Sequence, residues 1–308
     1  MQQPYQKYLE TSLIHFMAYS DTIGGDGPIL ETLEKIATDP FFTAVEVGQM
    51  NDPETRKQAA QLLKQAHMRV GFGAQPMLLL DNLSLNSPDE GERGKAIDAM
   101  KQGVDQAYEL GAERLGLLSG PAPSDPSQRE EQINLLIDSL NQICEYAENK
   151  GDLGITLETF DETIDKEALI GNDHKEAARV AEEVKKSGHD FGIMVDLSHL
   201  PMQEETPMEA LSAVKDHLVH AHVGNCVISD EDHPAYGDVH PRFGISCGEN
   251  DVPELVEYLE ALFEVGFLGG DEKPFVGFEV SPLEGESAEV IIANAKRTFN
   301  EAWARLEV

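Results

Sequence analysis

The chain has 308 residues, 41% of them hydrophobic and 26% charged, which fits a globular protein with one sizeable core and excludes a disordered tail-like polymer. Lys and Arg number 23 against 57 Asp and Glu, a net charge of −34, so phosphate backbones and anionic membranes are repelled and nucleic-acid binding starts at a disadvantage. Three cysteines without metal-finger spacing exclude a disulfide framework.

The amino-terminal stretch from Met1 to Glu10 has no basic region followed by an apolar run, and the segment from Ser12 to Tyr19 is too short and polar for a signal or spanning helix. A cytoplasmic location without a membrane partner is expected. From there, short apolar runs alternate with longer amphipathic segments. Strands are expected at Leu13 to Tyr19, Ala44 to Val47, Arg69 to Ala74, Arg114 to Ser119, Gly154 to Phe160, Phe191 to Leu197, Leu218 to Val223 and Phe275 to Val280. Helices are expected at Ile29 to Thr38, Pro53 to Ala66, Gly94 to Leu110, Glu130 to Asn149, His174 to Lys186, Pro207 to Val214, Val252 to Val265 and Ala288 to Leu306. Ile133, Leu136, Ile137, Leu140 and Ile143 illustrate the helical period.

Strands that alternate with helices pair in parallel through right-handed crossovers. Eight such units predict a closed (β/α)8 TIM barrel of the α/β class, a single domain over residues 1–308. The rival, a doubly wound open sheet, carries a phosphate turn after its first strand. Ile23-Gly24-Gly25-Asp26-Gly27-Pro28 lacks the spacing of a dinucleotide fingerprint, so no nicotinamide cofactor is expected. The stretch from Ser119 to Pro126 reads as a barrel loop, with Asp125 or Ser127 as a helix cap.

In a barrel, chemistry gathers at the carboxyl ends of the strands. Alternation supplies the candidates, because successive side chains of a strand face opposite sides. In the fifth strand Ile155 and Leu157 share one face and Thr156 and Glu158 the other; in the sixth, Ile193, Val195 and Leu197 oppose Gly192, Met194 and Asp196. In the seventh strand His220 and His222 oppose Val219, Ala221 and Val223, and in the eighth Glu279 opposes Val276, Phe278 and Val280. Three converging carboxylates repel one another unless a cation sits among them. Glu158, Asp196, His222 and Glu279 make an oxygen-rich donor set suited to Mn2+, with Mg2+ or Co2+ as alternatives.

The order Glu158, Asp196 with His199 three residues on, His220-Ala221-His222, then Glu279 resembles the xylose-isomerase-like TIM barrels, sugar isomerases and epimerases that also include endonuclease IV. The resemblance implies one metal held by those four residues, acid/base roles for Glu158 and Glu279, and a substrate oxygen at His199. It also implies action at a carbon next to a sugar carbonyl. The endonuclease branch needs histidines where this chain has Gln75-Pro76 and Ser119-Gly120, although Asp238-Val239-His240 matches one of its elements. Ketose 3-epimerases carry an Arg six residues after the metal-binding His, where this chain has Ile228.

The loop from Tyr236 to Gly244, with the phrases at Phe160-Asp161, Ile164 to Lys166, Leu169 to Gly171, His222 to Asn225 and Asn294 to Thr298, is similar to the larger subunit of the C-glycoside deglycosidases. That similarity implies a lyase acting on a 3-keto glycoside and completed by a small all-β partner subunit, the outcome the sequence favours, with an isomerase or epimerase of a ketose or sugar phosphate as the alternative; an oligomer is also expected. His240 and His199 are then candidate acids for the leaving group, and Arg242 a substrate contact over the barrel mouth, unless an Asp238 to Arg242 ion pair merely holds the loop. A silent sugar-binding barrel is the third reading.

His15 and Glu46, at the ends of the first two strands, are further pocket candidates for substrate binding, with a hydrogen-bonded barrel histidine and an ion-paired Glu as the plain alternatives. His67, His174, His189, His217 and His233 read as solvated, Trp303 and Phe299 as core. Cys226 has no adjacent base to make it a nucleophile, and Cys247 has no recognisable partner.

Overall fold

The computed structural model describes residues 3–307; the reading of Met1 and Gln2 lies outside them. Its strands are β1 (Glu10–Leu13), β2 (Ala44–Val47), β3 (Arg69–Gly73), β4 (Arg114–Leu118), β5 (Gly154–Glu158), β6 (Phe191–Asp196), β7 (Leu218–Val223) and β8 (Phe275–Phe278). Every ladder is parallel, in the order β1-β8-β7-β6-β5-β4-β3-β2. The seam between β1 and β2 is closed by Thr43 N donating to Thr11 O over 3.0 Å and by a bridge between Ile14 and Glu46. The result is a (β/α)8 barrel, as the alternation implies.

The aliphatic faces lie where strand phase puts them. Ile155, Leu157, Ile193, Val195, Ala221, Val276 and Phe278 are all buried in the core beneath the helices. The helical segments begin at residues that satisfy free backbone N–H groups. Asp52 accepts from Thr55 N, and Thr206 with Glu209 and Asp251 with Glu254 form capping boxes. Asp89 accepts from Glu92 N and starts the third long helix at Glu90, four residues before the expected Gly94. Asp125 accepts from Ser127 N and opens the turn leading into the helix Arg129–Glu148.

The first strand departs from expectation. It runs Glu10–Leu13, and most of the apolar stretch beyond it forms the helical turn His15–Ala18. Its polar residues Thr11 and Ser12 are both buried. Thr11 Oγ1 donates to Phe41 O, and Ser12 Oγ donates to Glu46 Oε1 over 2.5 Å. Phe299 and Trp303 pack in the core as expected. No helix among the described residues is long and apolar enough to cross a membrane.

Candidate metal centre

Four side chains at the carboxyl ends of β5 to β8 converge. One donor atom from each of Glu158, Asp196, His222 and Glu279 fits within a mutual distance of 4.8 Å. His222 Nδ1 lies 2.8 Å from Glu279 Oε2, 3.6 Å from Glu158 Oε1 and 3.9 Å from Asp196 Oδ2. Each of the two inner carboxylates has one oxygen tied down and one left over. Glu158 Oε2 accepts from Gln75 Nε2 at 2.7 Å, and Asp196 Oδ1 accepts from Ser198 N at 2.7 Å. Glu158 Oε1 and Asp196 Oδ2 are buried without a hydrogen-bond partner. An unpaired buried carboxylate oxygen is costly, and two facing one imidazole nitrogen form a donor set that a divalent cation satisfies. The residues therefore fit a metal.

The protonation balance agrees. Burial, with Glu279 nearby, raises Asp196 above the ordinary carboxylate range despite the opposing pull of His199, His240 and His222. Burial works against a charged His222, but Glu46, Glu158 and Glu279 around it outweigh that and hold it well above an ordinary imidazole. Negative charge in excess of local positive charge is the situation a cation relieves.

Glu46 comes to the site as a support. Its Oε2 lies 2.9 Å from His222 Nε2 and 3.2 Å from His220 Nε2, while Oε1 accepts from Ser12. A proton on Nε2 held by Glu46 leaves Nδ1 to face the carboxylates, the arrangement by which an outer carboxylate orients a metal-binding histidine. Glu46 lines the cavity, but its oxygens serve protein groups.

Asp238 organises the other side. Its Oδ1 lies 2.7 Å from His240 Nε2 and 3.1 Å from His199 Nε2, and Lys166 Nζ lies 3.0 Å from its Oδ2. Burial raises the cost of the Asp238 charge, yet the two histidines hold its carboxyl well below the usual range. Burial likewise disfavours charge on both histidines, but their carboxylate neighbours, foremost Asp238 for His199 and Glu279 for His240, lift them to about 10 and about 9. His240 lines the cavity, with Nε2 3.4 Å from Glu279 Oε1, and its backbone is held at a φ of 54°.

The cavity occupies about 220 Å³ and has a lining of two kinds. Glu46, Glu158, His222, Asp238, His240 and Glu279 are of one kind. Ile14, Phe16, Met17, Ile23, Leu79 and Leu80 are of the other, and the last two are 39% and 52% exposed. A larger groove at the opposite, amino-terminal end is lined by Arg69, Arg114 and Lys273, each ion-paired, and brings no comparable donor set together among the described residues.

Three expected contacts fall elsewhere. His15 turns away from the cavity, its Nε2 2.7 Å from Thr32 Oγ1, which itself donates to Pro28 O. Arg242 reaches Glu286 at 3.0 Å and pairs neither with Asp238 nor with the cavity. His199 is fully buried, with Nδ1 donating to Thr159 O at 2.9 Å and Nε2 on Asp238, so it holds Asp238 and does not face the cavity. His174, expected in solvent, is buried between Thr159 and Glu205. Two lining residues stand outside the expected site. Gln75 follows β3 at the barrel's carboxyl end, and Lys166, flanked by Asp165 and Glu167, is largely covered.

Two predictions arise here. Burial lowers His15 from 6.5 to about 4. The unfolded chain then holds the extra proton between those values, so stability is complete above pH 6.5 and falls as pH drops through about 4, by about 3 kcal/mol in total. His15→Gln is expected to flatten the Tm profile over that window relative to wild type; parallel profiles would contradict it. Burial also pushes the thiols of Cys144 and Cys226 up, whereas Cys247 is exposed. A disulfide reagent is expected to titrate one thiol in the native protein and three after denaturation.

Residues 38–291 match the family model described as xylose isomerase-like TIM barrel. A comparison with curated protein sequences gives no match. Among solved structures, a D-tagatose 3-epimerase-like protein superposes with a TM-score of 0.69 at 18% identity, over 95% of this chain and 99% of that one. The IOLI protein with a binding zinc atom gives 0.72 at 16% identity, over 97% and 100%. D-psicose 3-epimerase with D-tagatose from Clostridium cellulolyticum H10 gives 0.64 at 17% identity, over 96% of each chain. With the match spanning most of its length, the chain belongs to the xylose isomerase-like TIM barrel family.

Proposed function

We propose that this protein is a manganese-dependent sugar isomerase or epimerase that removes the proton next to the carbonyl of a keto-sugar and returns it. The observation that carries the reading is the convergence of Glu158, Asp196, His222 and Glu279 with two buried carboxylate oxygens left unpaired. The names of the solved relatives, epimerases of D-tagatose and D-psicose, support a small ketose as substrate. Manganese is favoured over softer ions by three carboxylates and one imidazole, with Mg2+ or Co2+ as alternatives.

Glu158, Asp196, His222 and Glu279 would hold the ion. Bound there, it supplies positive charge against the negative charge that develops on the carbonyl oxygen as the enediolate forms. Glu158 at the end of β5 and Glu279 just past β8 border the same cavity, and they take and return the proton. Asp238 and Lys166 pair with each other at 3.0 Å beside the same cavity.

A second reading has a specific observation behind it. A bare ketose needs no broad apolar wall, yet Phe16, Met17, Ile23, Leu79 and Leu80 provide one. That wall suits a glycoside whose 3-keto sugar carries an aromatic substituent, and enolisation followed by expulsion of the substituent is the lyase reaction of a C-glycoside deglycosidase. His240, which lines the cavity and is raised by its carboxylate neighbours despite burial, would then serve the leaving group. A small all-β partner subunit and an oligomer belong to this reading.

The test is to incubate the manganese-loaded protein in heavy water with D-tagatose and D-psicose and, separately, with 3-oxo-glucosyl flavonoids. Deuterium uptake with an epimer supports the first reading, and aglycone release supports the second. No exchange with either substrate rejects the shared enolisation.

A further inference from the structure

Gln75 lines the cavity and has no part in the chemistry above. It opens the helical turn Gln75–Leu79 after β3 and is 8% exposed. Because the Glu158 carboxylate accepts and does not donate, the amide must present Nε2 to it, which fixes the orientation of the whole group. Oε1 is thereby turned to the other side, where it is buried and has no partner. Its surroundings belong to the cavity. A Cβ built on Gly73 would stand 3.1 Å from Oε1 and 2.6 Å from Phe16 Cζ, and both residues line the cavity. A Cβ on Gly116 would press on Nε2 at 3.1 Å. Two glycines therefore keep open the shelf on which the amide lies.

A buried acceptor without a donor costs about 1–3 kcal/mol, so its retention calls for a donor that arrives from outside the chain. The Glu46, Asp238 and Glu279 carboxylates of this cavity are engaged by histidines, Ser12 or Lys166, and the unpaired Glu158 Oε1 belongs to the metal donor set. A neutral acceptor adds hydrogen-bonding capacity without adding charge to an acidic site.

We propose that Gln75 is a positioning and specificity residue: Nε2 holds Glu158 with Oε1 turned to the metal donors, and the free amide oxygen accepts a hydroxyl hydrogen of the substrate. The hydroxyl contact rests on the sugar reading above, whereas the hold on Glu158 does not.

The test uses the full chain with Gln75→Met, which keeps the length and drops the amide, and Gln75→Asn, which keeps the amide and withdraws it. Calorimetric Mn2+ titration without sugar is expected to show about 10- to 100-fold weaker binding by folded Gln75→Met, and a smaller loss for Gln75→Asn. Affinity within twofold of wild type in both overturns the positioning role, as does a loss explained by a lowered Tm of the metal-free protein. With manganese bound, D-tagatose and its singly deoxygenated analogues are compared. One deoxy analogue is expected to bind wild type and Gln75→Met equally, while D-tagatose loses about tenfold in the variant. An equal loss across all analogues overturns the hydroxyl contact. A wild-type protein that binds no ketose removes the sugar reading and that contact with it, and the manganese titration still decides the hold on Glu158.

Discussion

Glu279→Gln is expected to slow proton exchange next to the substrate carbonyl by about 10²- to 10⁴-fold, the usual worth of a positioned general base. The amide keeps the shape of the side chain, but it removes the charge that faces His222 Nδ1 at 2.8 Å and His240 Nε2 at 3.4 Å. It also removes an oxygen from the four-residue donor set, so Mn2+ binding is expected to weaken in the same variant. Measuring exchange at saturating manganese separates the two effects. A residual deficit at saturation belongs to the lost base, and a deficit that vanishes belongs to the metal alone. Exchange undiminished at every manganese concentration would leave Glu279 without a chemical role and favour a barrel that binds sugar without turning it over.

The parts of this site legible in the sequence are those that strand phase controls. Glu158, Asp196 and His222 each lie on the face opposite the aliphatic residues of their strands, and the period of two fixes that face without any knowledge of the partner strand. Glu279 follows one residue past β8 and keeps the phase. The misplacements share a different cause. His15 bonds to Thr32, Arg242 to Glu286, and His199 to Thr159 and Asp238, all through loops or helices whose approach no local period encodes. The first strand lies outside the apolar run because Thr11 and Ser12, on opposite faces of it, satisfy their hydroxyls on Phe41 and Glu46, more than one element away in the chain. Gln75 was hidden for the same reason: only the fold brings it to Glu158, 83 residues on.

Glu46 illustrates how far a buried support controls a metal ligand, and Glu46→Gln is expected to weaken Mn2+ binding by about 10- to 100-fold while the protein still folds. The carboxylate reaches His222 only because two neighbouring strands present glycine. A Cβ on Gly71 would stand 2.9 Å from Glu46 Cγ, and one on Gly277 would collide with Glu46 Oε1 and lie 2.7 Å from His222 Cδ2. Burial opposes a charged Glu46, but His220 and His222 overcome it and hold the carboxyl well below the usual range. The neutral amide can still accept from Nε2, yet it no longer enriches the imidazole electronically or fixes which nitrogen bears the proton. Glu46→Leu goes further, stranding Ser12, His220 and His222 in the barrel, and is expected to cost about 3–5 kcal/mol in denaturant unfolding of the metal-free protein. Calorimetric titration of Glu46→Gln distinguishes the roles offered for this residue. A substrate contact would leave manganese affinity intact and weaken only the sugar, whereas an orienting support weakens the metal before any sugar is added.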